Sequence, residues 1–263
     1  MKSQLFASFA TALALTGVFT SSAEAAGFQF TTNYTAELTG ANQSKGNIWL
    51  NSVEFDGQTF SDFSLAKDVK IVSNDLWTKG NTGGASADKG DKATVGLKQE
   101  LLTEEGAVTT LANLNLNSII DTEDKGSFVI DVMFDKGADN LFIWERGMNS
   151  KMDVQALDAE GNLIGNLLNL DSSQWFSAGY SIDTLEISGS QKVSSLGLSL
   201  RDFGLSANDS IFGYRVISKG AAYNGPDWKI VGTTASVPEP TAVIGLGLVA
   251  GSLVASRRRQ KSK

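Results

Sequence analysis

The 263-residue chain contains no cysteine and no histidine, and only three prolines. Without cysteine there is neither a disulfide nor a thiol nucleophile, and a chain of this length buries enough core to fold without cross-links. Without histidine there is no Ser-His-Asp triad and no imidazole base. Zinc, which draws mainly on Cys and His, is disfavoured, whereas metals bound through oxygen stay open. Two of the three prolines, Pro238 and Pro240, share one triplet near the C-terminus, so Pro226 is the sole proline of the body before it. Basic residues are also sparse in that body. The ends hold Lys2, Glu24 and five basic residues after Pro240, which leaves 16 basic against 28 acidic residues in 26–240, a net charge of −12. Such a domain repels nucleic acid and anionic headgroups.

The N-terminus reads as a secretory signal peptide over residues 1–25. Lys2 supplies a positive start, Leu5 to Phe19 an apolar core, and Ala23 and Ala25 the small residues that a signal peptidase reads. The C-terminus, 237–263, is bracketed as deliberately. Pro238-Glu239-Pro240 is followed by an uncharged run over 241–256, then Arg257, Arg258 and Arg259. At ~1.5 Å per residue those 16 residues span about 24 Å, short of the ~30 Å hydrocarbon core. The run therefore reads as a single membrane helix that stops in the membrane temporarily. Its basic tail marks the cytoplasmic side, and Gly247 and Gly251 stand at a spacing that permits close helix contact. The prolines keep the preceding chain extended.

Between the ends, residues 26–232 alternate apolar and polar with period two, with turn signals every 8–12 residues or so. GSFVIDVMF (126–134), YSIDTLEIS (180–188), KVSSLGLSL (192–200) and YRVIS (214–218) read as strands. IWLNSVEFDGQTFSDFSL (48–65) and VQALDAEGNLIG (154–165) read as strand-turn-strand units about Asp56-Gly57 and Asp158 to Asn162. The expectation is all-β: a single-domain, jelly-roll-like β-sandwich of roughly ten or more strands, followed by a linker at 233–236. LKQELLTEEG (97–106) reads as a short helix, and NTGGASADKGDKA (81–93) as a long polar surface loop.

Three features could carry chemistry. DTEDKG gathers Asp121, Glu123 and Asp124; such oxygens suit calcium, although the spacing is not that of an EF-hand, and solvated turn carboxylates are the competing reading. Glu145, in WERGMNSK, together with Asp153 could supply the two carboxylates of a glycoside hydrolase, but an acidic chain offers many such pairs by chance. Of the five tryptophans, Trp49 and Trp144 lie within apolar strands and read as core. Trp77 and Trp175 lie beside loops, where an aromatic face can stack on sugar or simply pack.

The order of Val-Pro-Glu-Pro, short apolar helix and triple arginine resembles the PEP-CTERM sorting signal of Gram-negative bacteria. GNIWLNSVEFDGQTFSDFSL, NDLWTKGNTGGASADKGDKA, LNLNSIIDTEDKGSFVIDVMFDKGADNLFIWERGMNS, VQALDAEGNLIG and GPDWKIVG resemble the cyanobacterial exosortase-dependent surface proteins. The resemblance implies export by the general secretion machinery and signal peptidase, a transient stay in the inner membrane, and processing by an exosortase near Pro238-Glu239-Pro240. It implies residence at the cell surface or in extracellular polysaccharide, and no catalytic residue. The expected protein is thus a non-enzymatic surface or matrix component. The alternatives are a carbohydrate- or calcium-binding module and a carboxylate-dependent hydrolase.

Overall fold

The computed structural model describes residues 27–76, 85–89, 98–183 and 188–233. Along these residues run β1 (Thr31–Ala36), a 3₁₀ turn (Gly40–Lys45), β2 (Ile48–Phe55), β3 (Gln58–Phe60), β4 (Ala66–Asn74), β5 (Ala85–Lys89) and β6 (Lys98–Leu101). Helix α1 (Glu104–Leu111) follows, then β7 (Ile120–Thr122), β8 (Ser127–Ala138), β9 (Asn140–Arg146), β10 (Met152–Leu157) and β11 (Leu163–Leu170). The last strands are β12 (Phe176–Ile182), β13 (Gln191–Ser199), β14 (Ile211–Lys219) and β15 (Asp227–Thr233). They form three antiparallel sheets, ordered β1-β2-β3, β11-β10-β14-β8-β4 and β12-β13-β9-β15-β7-β5-β6. The protein is all-β, as its period-two pattern predicts.

The two predicted hairpins form where the turn chemistry asks for them. Asp56 and Gly57 both take positive φ, 50° and 72°, and join β2 to β3. A two-residue loop of that hand matches the right-handed twist of its strands. Between β10 and β11 the Asp158 carboxylate accepts from Asn162 N at 2.7 Å and Glu160 N at 3.0 Å. Those bonds, with that of the Asn162 side chain foremost, hold its carboxyl below the usual range.

The number of layers departs from the expected two-sheet sandwich. Every residue of β15 is buried, as are six of the seven in β9. A strand buried on both faces needs cover on both. Leu141, Ile143, Trp228 and Ile230 join the hydrophobic cluster shared with the five-stranded sheet. The alternate residues Phe142, Trp144 and Val231 join a second cluster with Phe30, Leu50 and Val53 of the N-terminal segment and three-stranded sheet. The seven-stranded sheet is therefore covered on both faces, and Trp144 is further fixed by its Nε1, which donates to Thr32 Oγ1 at 2.9 Å.

Three local expectations are corrected. Trp49 is 43% exposed rather than core, because Ile48 and Leu50 take the inward positions of β2 and alternation turns Trp49 outward. The helix predicted at 97–106 begins later, after β6. Thr103 caps it by accepting from Gly106 N, and Glu104 and Glu105 sit in its first turn, where the helix dipole favours negative charge. Within the stretch 81–93, β5 occupies 85–89 and pairs with both β6 and β7, so sheet hydrogen bonding overrides a polar composition there. The remainder of that stretch lies outside the described residues, as do 184–187 of YSIDTLEIS.

Candidate functional site

Three stretches far apart in the chain, DTEDKG, WERGMNSK and NGPDW (224–228), meet at one end of the seven-stranded sheet. The register brings them together. β15 pairs with β9 so that Asp227 opposes Arg146 and Trp228 opposes Glu145, and on its other side Trp228 opposes Ile120 of β7. One residue along, Arg146, Asp227 and Asp121 form a cross-strand row on one face. Arg146 donates through Nε and Nη2 to Asp227 Oδ2, at 2.9 and 2.6 Å, and through Nη2 to Asp121 Oδ1 at 3.3 Å. Asp227 Oδ1 accepts from Thr122 N at 2.9 Å. The guanidinium and both carboxylates are buried, so each charge is held by its partners rather than by water.

The NGPDW loop closes one side. Asn224 and Gly225 adopt positive φ, 54° and 46°. A Cβ on Gly225 would stand 2.2 Å from Thr122 O, so only glycine lets this loop lie directly on the end of β7. Ser150 ties the loop from the other side, its hydroxyl donating to Asn224 O at 2.8 Å. Between these segments lies a cleft of about 230 Å³, whose lining includes Asp121, Thr122, Asp124, Arg146, Gln191 and Asp227. Two buried oxygens of that lining, Thr122 Oγ1 and Gln191 Oε1, have no hydrogen-bond partner among the described residues.

Glu145 precedes Arg146 in β9 and is fully buried. Burial, above all, pushes its carboxyl up to about 8. Its Oε2 accepts from Met148 N at 2.8 Å and Ser194 Oγ at 3.1 Å. Lys229, further along β15, is fully buried and pushed down by burial to about 7. It donates to Thr110 O at 2.8 Å, Ser118 O at 3.0 Å and Asn113 Oδ1 at 3.3 Å, tying the last turn of α1 and the following loop to the sheet. Neither Gln191, Thr122 nor Lys229 stands out in the sequence. Each sits in ordinary strand alternation, and only pairing with distant strands reveals what surrounds it.

The predicted site residues fare differently. Of the calcium trio, Asp121 is committed to Arg146, Glu123 is buried and Asp124 is exposed. Among the described residues no three or more carboxylates gather closely enough to hold a metal ion. Trp175 is corrected: it is 7% exposed, packs into the larger hydrophobic cluster and donates through Nε1 to Ser150 O at 3.0 Å, so it offers no face for stacking. Glu145 and Asp153 stand in different sheets. Asp153 accepts from Tyr223 Oη at 2.9 Å and pairs with Lys219 at 2.6 Å, and neither carboxyl lines the cleft. Trp77, the cleavage alanines Ala23 and Ala25, and the sorting residues Pro238, Glu239, Pro240 and Arg257 to Arg259 lie outside the described residues. No helix among the described residues is long and apolar enough to cross a membrane.

No family model and no curated protein matches the chain. Among solved structures, it is similar to the GH31 alpha-xylosidase from Xanthomonas citri at 11% identity, over 81% of this chain and 23% of that one, with a TM-score of 0.15. A likeness that slight carries no argument about fold or chemistry.

Proposed function

We propose that this protein is an exported, non-enzymatic component of the cell surface or extracellular matrix, whose β domain serves as a binding module. In this reading the N-terminal signal is removed after Ala25. The C-terminal run holds the chain in the inner membrane until an exosortase-type enzyme processes it at Pro238-Glu239-Pro240. The five- and seven-stranded sheets, which share the larger hydrophobic cluster, are read as the two halves of a β-sandwich, with the three-stranded sheet as an added cover.

The observation that favours a binding module is the cleft at the strand ends. It is polar, and it is built where the paired ends of β7, β9 and β15 meet a loop. Its two buried aspartates bind one guanidinium in common instead of facing each other as acid and nucleophile, which argues for recognition over glycoside hydrolysis. The intact mass of the surface-exposed protein tests the export reading. The expected form begins at residue 26 and lacks Arg257 to Arg259; a surface form that retains those arginines overturns the processing step.

A further inference from the structure

We infer that the outward face of β2 at Trp49 is a saccharide platform, on which one ring of a neutral extracellular polysaccharide stacks. The inference rests on the reading of the domain as a binding module and gives that module a ligand class. It draws nothing from the cleft at the ends of β7, β9 and β15.

The exposed indole is the first support. Trp144, Trp175 and Trp228 are at most 7% exposed, whereas Trp49 is 43% exposed. Ile48 and Leu50, on either side of it, take the inward positions of β2 and join the core. Among the described residues no ring contact and no side-chain hydrogen bond engages the indole of Trp49.

The frame around the ring is the second. Thr35 of β1 stands directly across from Trp49, and Asn115 forms a bridge to it from another segment. Directly opposed residues share a face. Asn47 and Asn51 lie two positions before and after Trp49, which alternation places on that same face. These polar side chains are tied to one another. Asn51 Nδ2 donates to Thr35 Oγ1 at 2.9 Å, Asn115 Nδ2 to Asn47 Oδ1 at 2.8 Å, and Asn47 Nδ2 to Glu37 Oε2 at 2.8 Å. Asn115 Oδ1 is anchored in turn by Ile48 N at 3.0 Å and Asn117 N at 3.1 Å. A side-chain amide nitrogen carries two hydrogens, so Asn47 and Asn51 each keep one. Asn51 Oδ1 and the hydroxyl hydrogen of Thr35 are likewise uncommitted among the described residues. Donors and acceptors already ordered by the fold thus surround an apolar plate, which lowers the cost of binding.

That combination selects the ligand. The face of an indole is apolar and carries partial negative charge. A pyranose ring offers it a flat patch of C–H bonds, while the hydroxyls at the rim donate to and accept from the frame. Charge narrows the class. The frame contains no cation, the charge bonded to it is the Glu37 carboxylate, and residues 26–240 carry a net charge of −12, so uronic and sulfated polymers are disfavoured. A protein partner fits less well, because an interface core needs contiguous apolar area. The other exposed large apolar residues, Val72, Leu76, Leu163, Leu167 and Phe176, lie in or next to strands of the other two sheets. One ring binds weakly, and retention on a polymer comes from many copies meeting many rings.

The test uses the full chain, purified in a detergent without a sugar headgroup, on immobilised neutral, uronic and sulfated oligosaccharides, beside Trp49→Ala, Trp49→Phe and Asn51→Ala. Binding to the neutral sugars is expected. Trp49→Ala should weaken it about tenfold or more, Trp49→Phe less because a smaller ring remains, and Asn51→Ala about fivefold. Hydroxyl-radical footprinting of the parent gives a reading free of any folding defect: the neutral polymer is expected to protect Trp49 from oxidation, and an unprotected Trp49 overturns the site. Binding that survives Trp49→Ala overturns this site while leaving a binding module in place. No binding to any sugar, or strongest binding to the anionic ones, overturns the ligand class. A smaller oligomeric mass in Trp49→Ala than in the parent, without sugar binding, makes the face a contact between copies and also overturns the proposal. The mass measurement on the exported form decides the export reading independently of these results.

Discussion

Arg146 holds two buried aspartates at once, so its removal is expected to be far more damaging than the loss of a surface charge. Arg146→Met leaves Asp121 and Asp227 facing each other without a cation, and urea unfolding should show a loss of about 3–5 kcal/mol. Glu145 makes a different prediction. Its folded carboxyl titrates at about 8 and its unfolded one near 4.5, so between those values the folded state holds a proton that the unfolded chain has lost. The sign is therefore unfavourable with rising pH: stability falls from pH 4.5 to 8, with a slope of up to about 1.4 kcal/mol per pH unit from this group. Glu145→Gln, uncharged throughout, should lack that component; equal slopes in parent and variant between pH 5 and 8 would count against it. Lys229 runs the other way. With its folded value near 7 and its ordinary value 10.5, stability rises with pH across that window. The residue types at these positions are visible in the sequence, but their perturbed states are not. Glu145 and Lys229 read as polar members of alternating strands, and only the covering of the sheet on both sides removes them from water.

At the scale of elements, α1 depends on a lysine 118 positions beyond its last residue, Leu111, which only the fold brings near: the Lys229 amine meets Thr110 O and Ser118 O, not any neighbour in sequence. Helix C-termini leave carbonyls without partners, and Lys229 satisfies one of them. Lys229→Met is expected to speed amide exchange across 104–118 while leaving the β8–β14 ladder protected; uniform exchange changes would refute a local tether. The hairpins show the opposite case, where local chemistry suffices. Asp56-Gly57 was readable because the turn requires positive φ at both positions, which this pair supplies. Gly57→Ala should cost about 1 kcal/mol. The helix at 104–111 was legible in kind but misplaced, since the acidic residues in LKQELLTEEG mark its first turn and not its middle.

For the whole molecule, the decisive feature is the double cover of the seven-stranded sheet. Phe142, Trp144 and Val231 lie against the N-terminal segment and three-stranded sheet, so a chain shortened to begin at residue 61 uncovers a row of large apolar side chains. That form should aggregate or bind a hydrophobic dye, with tryptophan emission shifted to the red as Trp144 meets water; a soluble, dye-silent product would contradict the layered arrangement. The sequence by itself determined the strand periodicity, the hairpin turns, the acidic body, the chemistries ruled out by missing Cys and His, and the expectation of two sorting ends. These are local or compositional properties, carried by neighbours along the chain. Tertiary structure alone decided that Arg146, Asp227 and Asp121 share one row, and that Trp175 packs into the core with its Nε1 on Ser150 O. Strand register between segments up to about a hundred residues apart sets those contacts, and period-two alternation leaves register undefined until the sheets have packed.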